Sequence, residues 1–217
     1  MVDYVEVAKY PLLDIKNFFI GFVMGTLWFL IVPLIFVYGY IVESIRETIN
    51  QSNKLPHWFS LENWLKFFKH GLFVFAIGAI YLLPPLIISA AASSMVGNVL
   101  QIISQGLPNS PNSSFGISLM VISFVLILVS LFLLPMAIIL YSATEDIRYA
   151  IDFGEILPRI KRAFIPYLKA YVVSIAVLII SLLILILPGI NFLFGGVLFY
   201  PLLFSARLFA EVFREYE

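Results

Sequence analysis

The sequence has no cysteine and very little charge. Without cysteine, the chain has no disulfides, thiolate metal sites or thiol nucleophiles. Only 12% of the 217 residues are charged, roughly half the share of an ordinary soluble domain, and 62% are hydrophobic. Thirteen basic residues balance thirteen acidic ones, so no basic field is present to attract nucleic acid. This composition is typical of a membrane protein.

Charged residues are missing altogether from three long stretches, 17–42, 70–144 and 170–206. Spanning a bilayer takes about 20 apolar residues, and each buried charge would oppose insertion by roughly 2.5–3.5 kcal/mol. The stretches therefore predict an all-α integral membrane bundle of about five transmembrane helices, folded as a single domain over 1–217. The predicted spans are 18–42, 71–95, 116–142, 170–187 and 190–213.

The loops that connect these spans differ in charge. The loop between the second and third spans is uncharged, whereas the connections around 43–69 and 143–169 are rich in lysine and arginine. By the positive-inside rule, the basic connections face the cytoplasm. The sequence therefore predicts a multi-pass protein of the cell membrane, with its C-terminus in the cytoplasm and its N-terminus outside. Lys9 and Lys16, which then lie on the outer side, agree less well with the rule.

A pattern of proline, glutamate and arginine occurs three times. In each copy the glutamate follows the proline by ten residues and the arginine follows it by thirteen. The pattern predicts a parallel internal repeat, with units at 18–95 and 116–187 and a half unit at 190–217, unless the few matching letters are coincidental. Each proline removes a backbone hydrogen bond and predicts a kink, either a plain bend or a hinge. The three copies are Pro33, Glu43 and Arg46; Pro135, Glu145 and Arg148; and Pro201, Glu211 and Arg214.

Each Glu–Arg pair is expected at the cytoplasmic end of a span. Three residues apart on a helix, the two side chains share a face, and glutamate before its basic partner is the favourable order. An arginine at this depth can also hold a lipid phosphate through two hydrogen bonds. An anchor at the membrane surface is therefore the plain interpretation of these pairs, and a coupling or gating role is the alternative.

Both basic connections have the pattern of interfacial amphipathic helices. The first follows Trp58 and Phe59 and includes Trp64, aromatic residues that favour the headgroup boundary. The second places Ile160 and Phe164 among basic residues, each of which would attract anionic lipid by about 1 kcal/mol. The expected partners are anionic headgroups on the cytoplasmic side, with a protein partner or a second copy of the chain as alternatives. The candidate contact residues are Arg46, Arg148, Arg159, Lys161, Arg162 and Arg214.

Two groups of small residues are expected to pack helices closely. Gly21-x-x-x-Gly25 lies in the first predicted span, and the run SAAASS occupies 89–94 of the second. Residues of this size let two helix backbones approach each other in a membrane. We expect these contacts to form within the chain, with contact between two copies as the alternative.

No catalytic, cofactor or metal site is predicted. His57 and His70 are the only histidines, with Glu62 as the one acid between them, and a zinc site would need further ligands at a recognisable spacing. Motifs of nucleotide-binding proteins, serine hydrolases and zinc proteases are absent from the sequence. The predicted spans carry no charge at mid-membrane depth, which argues against proton or sodium coupling.

Residues between 33 and 88 form a further pattern, made of Gly39-Tyr40, Arg46, Leu55-Pro56, Asn63-Trp64, Phe68, Gly71, Tyr81 and Pro84. This pattern resembles that of a mainly archaeal family of polytopic membrane proteins, catalogued as domain of unknown function 4013. The resemblance implies an archaeal cytoplasmic membrane and a compact helical fold, and it implies no substrate. Asn63 stands where the family pattern has an aspartate, which argues against a catalytic acid there.

These features predict a non-enzymatic membrane protein that acts as an accessory or lipid-interacting component. Its inner face would bind headgroups or a partner protein. The alternative is a passive transporter or channel-like protein for a small or apolar solute, because polar side chains or a groove could line a pathway without any buried charge. A membrane enzyme has less support, because no nucleophile, metal cluster or acid–base pair stands out.

Overall fold

The computed structural model describes residues 2–52, 54–96, 111–186 and 191–216, and these ranges contain helices and no strand. The predicted all-α class is therefore confirmed. The helices are α1 (Tyr4–Lys9), α2 (Ile15–Thr26), α3 (Ile31–Ile49), α4 (Leu61–Val96), α5 (Pro111–Thr144), α6 (Ile147–Ile151), α7 (Phe153–Arg162), α8 (Phe164–Ile184) and α9 (Phe194–Tyr216), with short 3-10 helices at Tyr10–Leu12 and Asn191–Leu193.

Four of the described helices, α4, α5, α8 and α9, are long and apolar enough to cross a membrane. They coincide with four of the five predicted spans. Most of the apolar stretch of α5 is exposed, since only 11% of it is buried, whereas 72% of the corresponding stretch of α9 is buried. An apolar surface of this extent needs a covering of lipid. The chain is an all-α integral membrane protein.

The predicted span over 18–42 is divided into two helices. Because α2 ends at Thr26 and α3 begins at Ile31, Pro33 lies in the first turn of α3. Proline has no N–H to bond the carbonyl of Phe29, four residues earlier, and in the first turn of a helix that donor has no intrahelical acceptor anyway. The proline that was expected to kink a span therefore stands near the start of a new helix. Pro135 and Pro201, in contrast, lie inside α5 and α9 as expected.

Together α2 and α3 form a helical hairpin along α9. The end of α2 contacts the start of α9, where Gly25 lies against Gly195. The segment before α2 lies further along α9, since the Tyr200 hydroxyl donates a hydrogen bond of 3.0 Å to the carbonyl of Ala8. The next helix, α3, then returns, and its last turn reaches Arg207. The chain thus runs along α9 and back, instead of passing it once.

The helices form two compact units. In the first, residues 1–75 and 135–217, α9 packs against α2, α3 and α8 and supplies much of the buried core. In the second, residues 76–134, the two helical segments run antiparallel. Gly116 lies against Ala92, and the Ser123 hydroxyl donates a hydrogen bond of 2.8 Å to the carbonyl of Pro85. Of the small-residue run at 89–94, Ala92 therefore packs against a helix of the same chain, as expected, whereas most of the run is exposed.

The glycine motif of α2 also packs within the chain. A β-carbon at Gly25 would lie 2.6 Å from the carbonyl oxygen of Gly195, and one at Gly21 would overlap the ring of Phe199. Two backbones can approach this closely only where a side chain is missing. Contact within the chain, the favoured interpretation of this motif, is therefore what the structure shows.

Candidate functional site

The end of α3 carries a cluster of charged side chains, which we call the Arg46 cluster: Glu43, Arg46, His70, Tyr141 and Glu145. Arg46 joins the two carboxylates. Its Nη1 donates to Glu43 Oε1 at 3.1 Å, and its Nη2 pairs with Glu145, which directly follows α5. The first and second copies of the repeated Glu–Arg pattern therefore meet at one arginine.

His70, on α4, joins Glu43 of the Arg46 cluster to Tyr141. Its ring is almost fully buried, with Nε2 at 3.4 Å from Glu43 Oε1 and Nδ1 at 2.8 Å from the Tyr141 hydroxyl. Tyr141 lies in the last turn of α5, and Glu145 follows that turn directly. The five side chains thus form a continuous chain of polar contacts, from Glu145 through Arg46, Glu43 and His70 to Tyr141, that joins α3, α4 and the end of α5.

The second and third Glu–Arg pairs do not form as expected. In the second copy, α5 ends at Thr144, just before Glu145, and Glu145 has a φ of 57°. The chain turns there, and Arg148 lies exposed on the next helix, α6. In the third copy, Glu211 pairs with Arg207 instead of Arg214. In the second copy the helix ends before the pair, whereas in the third copy one helix carries both residues and Arg207 takes the place of Arg214 as the partner of Glu211.

A second polar cluster, the Arg207 cluster, is formed by Tyr10, Thr48, Ser52, Arg207 and Glu211 on the opposite side of α3. The guanidinium of Arg207 is 3% exposed, donates from Nε to Glu211 Oε1 at 2.6 Å, and lies 4.6 Å from the centroid of the Tyr10 ring. Its Nη1 donates to the Thr48 hydroxyl at 3.3 Å and to the Ser52 carbonyl at 3.1 Å. This set of partners replaces the water that a buried charge loses.

Sequence reasoning did not single out Arg207. It is the first charge after the long apolar run of the last predicted span. The signal that could have found it is the spacing of four residues to Glu211 on one helix, which places the two side chains on the same face. Burial of Tyr10 against this pair raises the pKa of its phenol, while the nearby Arg207 acts in the opposite direction.

A polar cavity of about 350 Å³ adjoins the Arg207 cluster. Four carboxylates and two guanidiniums contribute to its wall, so its charge does not favour an anion. Residues near both ends of the chain line it together. The lining residues are Val2, Asp3, Glu6, Gln51, Arg207, Glu211, Arg214 and Glu215.

Two glycines of the family-like pattern lie where α3 crosses α4. A β-carbon at Gly39 would lie 1.8 Å from the carbonyl oxygen of Phe67, and one at Gly71 would lie 1.9 Å from the carbonyl oxygen of Ile35. Any larger residue would have to push the two backbones apart. The crossing brings Glu43, one turn beyond Gly39, up to His70, so these glycines set the geometry of the Arg46 cluster.

The aromatic residues of the first basic connection divide between core and surface. Trp58 is buried, stacks on Tyr40 with 4.4 Å between ring centroids, and donates from its indole N–H to the carbonyl of Asn17 at 3.0 Å. The expectation that Trp58 lies at the headgroup boundary is therefore wrong, because the connection folds back onto α2. Phe59, the next residue, is 82% exposed.

Asn63 has a structural contact that an aspartate could not make. Its side-chain amide donates to the carbonyl of His57 at 2.8 Å, and an ionised carboxylate has no proton to donate. His57 itself lies 3.1 Å from the side-chain amide of Asn17. Within the described ranges, no three His, Cys, Asp or Glu side chains are grouped so as to hold a metal ion.

The second basic connection forms α6, α7 and the start of α8. Its helix α7 buries Ile156 and Ile160, while Lys161 and Arg162 are exposed at its end. Large apolar side chains beside them are also exposed: Tyr149, Ile151, Phe153, Leu157, Phe164, Ile165 and Leu168. We call this surface of exposed basic and apolar side chains the α7 surface. An amphipathic helix with a second, exposed set of apolar residues is typical of a membrane interface.

The six predicted contact residues divide into two groups. Three of them have partners within the chain, since Arg46 bonds to two glutamates, Arg159 pairs with Glu155, and Arg214 donates to the carbonyl of Thr48. The other three have exposed side chains at or near the α7 surface, and these are Arg148, Lys161 and Arg162.

A family model described as Protein of unknown function (DUF4013) matches residues 24–190, which is most of the chain. The match includes the Arg46 cluster, the crossing of α3 and α4, and the α7 surface. No curated protein and no solved structure matches the chain.

Proposed function

The chain belongs to the DUF4013 family, as its sequence pattern indicated, and we propose that it is a non-enzymatic protein of the cytoplasmic membrane that binds anionic lipid headgroups. This proposal is based on the α7 surface. Lys161 and Arg162 are exposed at the end of α7, beside exposed Leu157, Phe164 and Ile165. Apolar side chains that enter the acyl boundary hold the neighbouring cations at the level of the headgroups.

The orientation that we propose has both termini in the cytoplasm. Every charged residue belongs to one of four segments: 3–16, 43–69, 145–169 and 207–217. The α2–α3 hairpin brings the first of these segments to the second and the fourth, as the shared lining of the polar cavity supports. All the lysines and arginines then lie on one side of the membrane, which the positive-inside rule assigns to the cytoplasm.

The hairpin itself enters and leaves the membrane on the cytoplasmic side in this proposal. Its first helix, α2, has 12 residues and so rises about 18 Å, which is less than the roughly 30 Å of a hydrocarbon core. Close packing against α9 through Gly25 and Gly195 gives α2 a protein partner along its length. Lys9 and Lys16, which conflicted with an outer N-terminus, lie on the expected side in this arrangement.

Neutralising the α7 surface is expected to weaken the binding of anionic lipid. The double variant Lys161→Gln, Arg162→Gln loses two charges, each of which contributes about 1 kcal/mol near an anionic surface. The apparent Kd for phosphatidylglycerol should therefore rise about 10- to 30-fold, while binding of phosphatidylcholine stays the same. Native mass spectrometry of the purified protein in mild detergent measures both lipids.

The matched control is Lys9→Gln, Lys16→Gln. It removes the same charge from exposed positions in the N-terminal segment. This control is expected to retain phosphatidylglycerol as the unaltered chain does. Equal losses in the two double variants would mean that total charge matters and the α7 surface does not, and an unchanged Kd in the α7 variant would contradict the proposal outright.

A further inference from the structure

The only histidine in the Arg46 cluster is placed to respond to pH. We propose that His70 is a proton-binding site that controls a contact between helices, which we call the clasp. In its neutral form His70 binds α4 to both α3 and α5, and protonation weakens these contacts. The contacts that form the clasp are those to Glu43 Oε1 at 3.4 Å and to the Tyr141 hydroxyl at 2.8 Å.

The two contacts favour one neutral tautomer of His70. Nε2 faces a carboxylate oxygen, so a proton on Nε2 makes an attractive contact, whereas a lone pair there would face negative charge. Nδ1 is then the acceptor, and the Tyr141 hydroxyl donates to it. In this arrangement every polar atom of the ring has a matched partner while the ring stays neutral.

Protonation disturbs this arrangement in two ways. A proton on Nδ1 removes the lone pair that accepts the Tyr141 O–H, so the hydroxyl must rotate and lose its acceptor. The new positive charge is also buried, since His70 is 2% exposed, and burial opposes a charged group. Glu43 offsets only part of this cost, because it already pairs with Arg46 at 3.1 Å.

The charges around His70 come from each element packed against it. Glu43 and Arg46 act from α3, Glu145 acts from the end of α5 beside Tyr141, and Lys69 acts from α4 itself. The two acidic and two basic groups largely balance each other. Burial and the lost hydrogen bond therefore decide the sign: acidification weakens the clasp, and the stability it contributes is present above the ordinary histidine pKa of about 6.5 and is lost as pH falls.

The experiment is thermal unfolding of the full chain in mild detergent between pH 8 and pH 5. The melting temperature of the unaltered chain should fall by about 2–4 °C over this range, a shift typical of one lost interaction in a domain of this size. The variant His57→Gln removes the only other histidine. It should show the same fall, because it retains His70. His70→Gln and Tyr141→Phe should each remove most of it.

A second measurement decides the matter if His70→Gln does not fold. In His57→Gln, a single histidine remains, and ¹⁵N labelling of histidine reports its tautomer and its protonation directly. We expect an Nε2–H tautomer at pH 8, with protonation over the same pH range in which the melting temperature falls. The Nδ1–H tautomer at pH 8, or a fall in melting temperature that persists in His70→Gln, would overturn the proposal.

Discussion

Replacing Arg207 with methionine is expected to lower the melting temperature by about 6–20 °C. The substitution keeps most of the buried side-chain volume but leaves Glu211, 7% exposed, without the guanidinium that bonds to it at 2.6 Å. Breaking a buried ion pair by removing one partner typically costs about 3–5 kcal/mol, and each kcal/mol shifts the melting temperature by about 2–4 °C at this chain length. Thermal unfolding in mild detergent measures the shift.

An exposed ion pair of the same chain provides the control. Lys66 pairs with Glu62 at 2.8 Å, but both side chains are largely exposed, at 49% and 78%. Water screens such a pair, so Lys66→Met should leave the melting temperature nearly unchanged. Equal effects of Lys66→Met and Arg207→Met would show that Arg207 does not hold the first unit together.

Alanine at Gly71 is the second substitution with a large expected effect. Its β-carbon would lie 1.9 Å from the carbonyl oxygen of Ile35, and a backbone atom cannot move aside as a flexible side chain can. Separating α3 from α4 would cost the roughly 1–3 kcal/mol of an overpacked core or more, which lowers the melting temperature by about 2–12 °C. It would also pull Glu43 away from His70.

Gly78 offers a matched control on the same helix. A β-carbon there meets no atom within 4 Å, and alanine in the interior of a helix is more stable than glycine by roughly 0.5–1 kcal/mol. The variant Gly78→Ala should therefore be neutral or slightly more stable than the unaltered chain. If Gly71→Ala behaved in the same way, the close crossing of α3 and α4 would not be a feature of the folded protein.

The four membrane-spanning helices could be predicted because the sequence signal for each of them lies within its own segment. A membrane span requires a long run of residues without charge, and the sequence shows such runs at α4, α5, α8 and α9. The α2–α3 hairpin could not be predicted in this way. Its two helices are also free of charge from residue 17 to residue 42, and the turn between them depends on contacts with α9 that are remote in the sequence.

The repeated pattern singled out Glu43, Arg46 and Glu145 but not the contacts between them, and it gave no signal for Tyr141. Arg46 and Glu43 share a helix face, as their spacing indicated, yet the second partner of Arg46 is Glu145, 99 residues away. The spacing of Glu211 and Arg214 was equally suggestive, but the closer match for Glu211 was Arg207, one turn earlier. Spacing along a helix identifies the side chains that can meet, and the tertiary fold decides which of them do.

The proposed orientation places both chain ends and all the charged residues on the cytoplasmic side of the membrane. Because the sequence has no cysteine, each introduced cysteine is the only thiol in the protein. Three single variants are needed: Lys9→Cys near the N-terminus, Lys161→Cys on the α7 surface and Ser114→Cys at the far end of α5. A membrane-impermeant maleimide, applied to intact and then to permeabilised cells, reports the side on which each cysteine lies.

In this orientation we expect the cysteines at positions 9 and 161 to react only after permeabilisation, and the one at position 114 to react in intact cells. Protection of both basic-segment cysteines would place the two ends of the α2–α3 hairpin on one side of the membrane. If the cysteine at position 9 reacted in intact cells while the one at position 161 was protected, the first segment would cross the membrane once, and the hairpin and the single charged face would both be wrong.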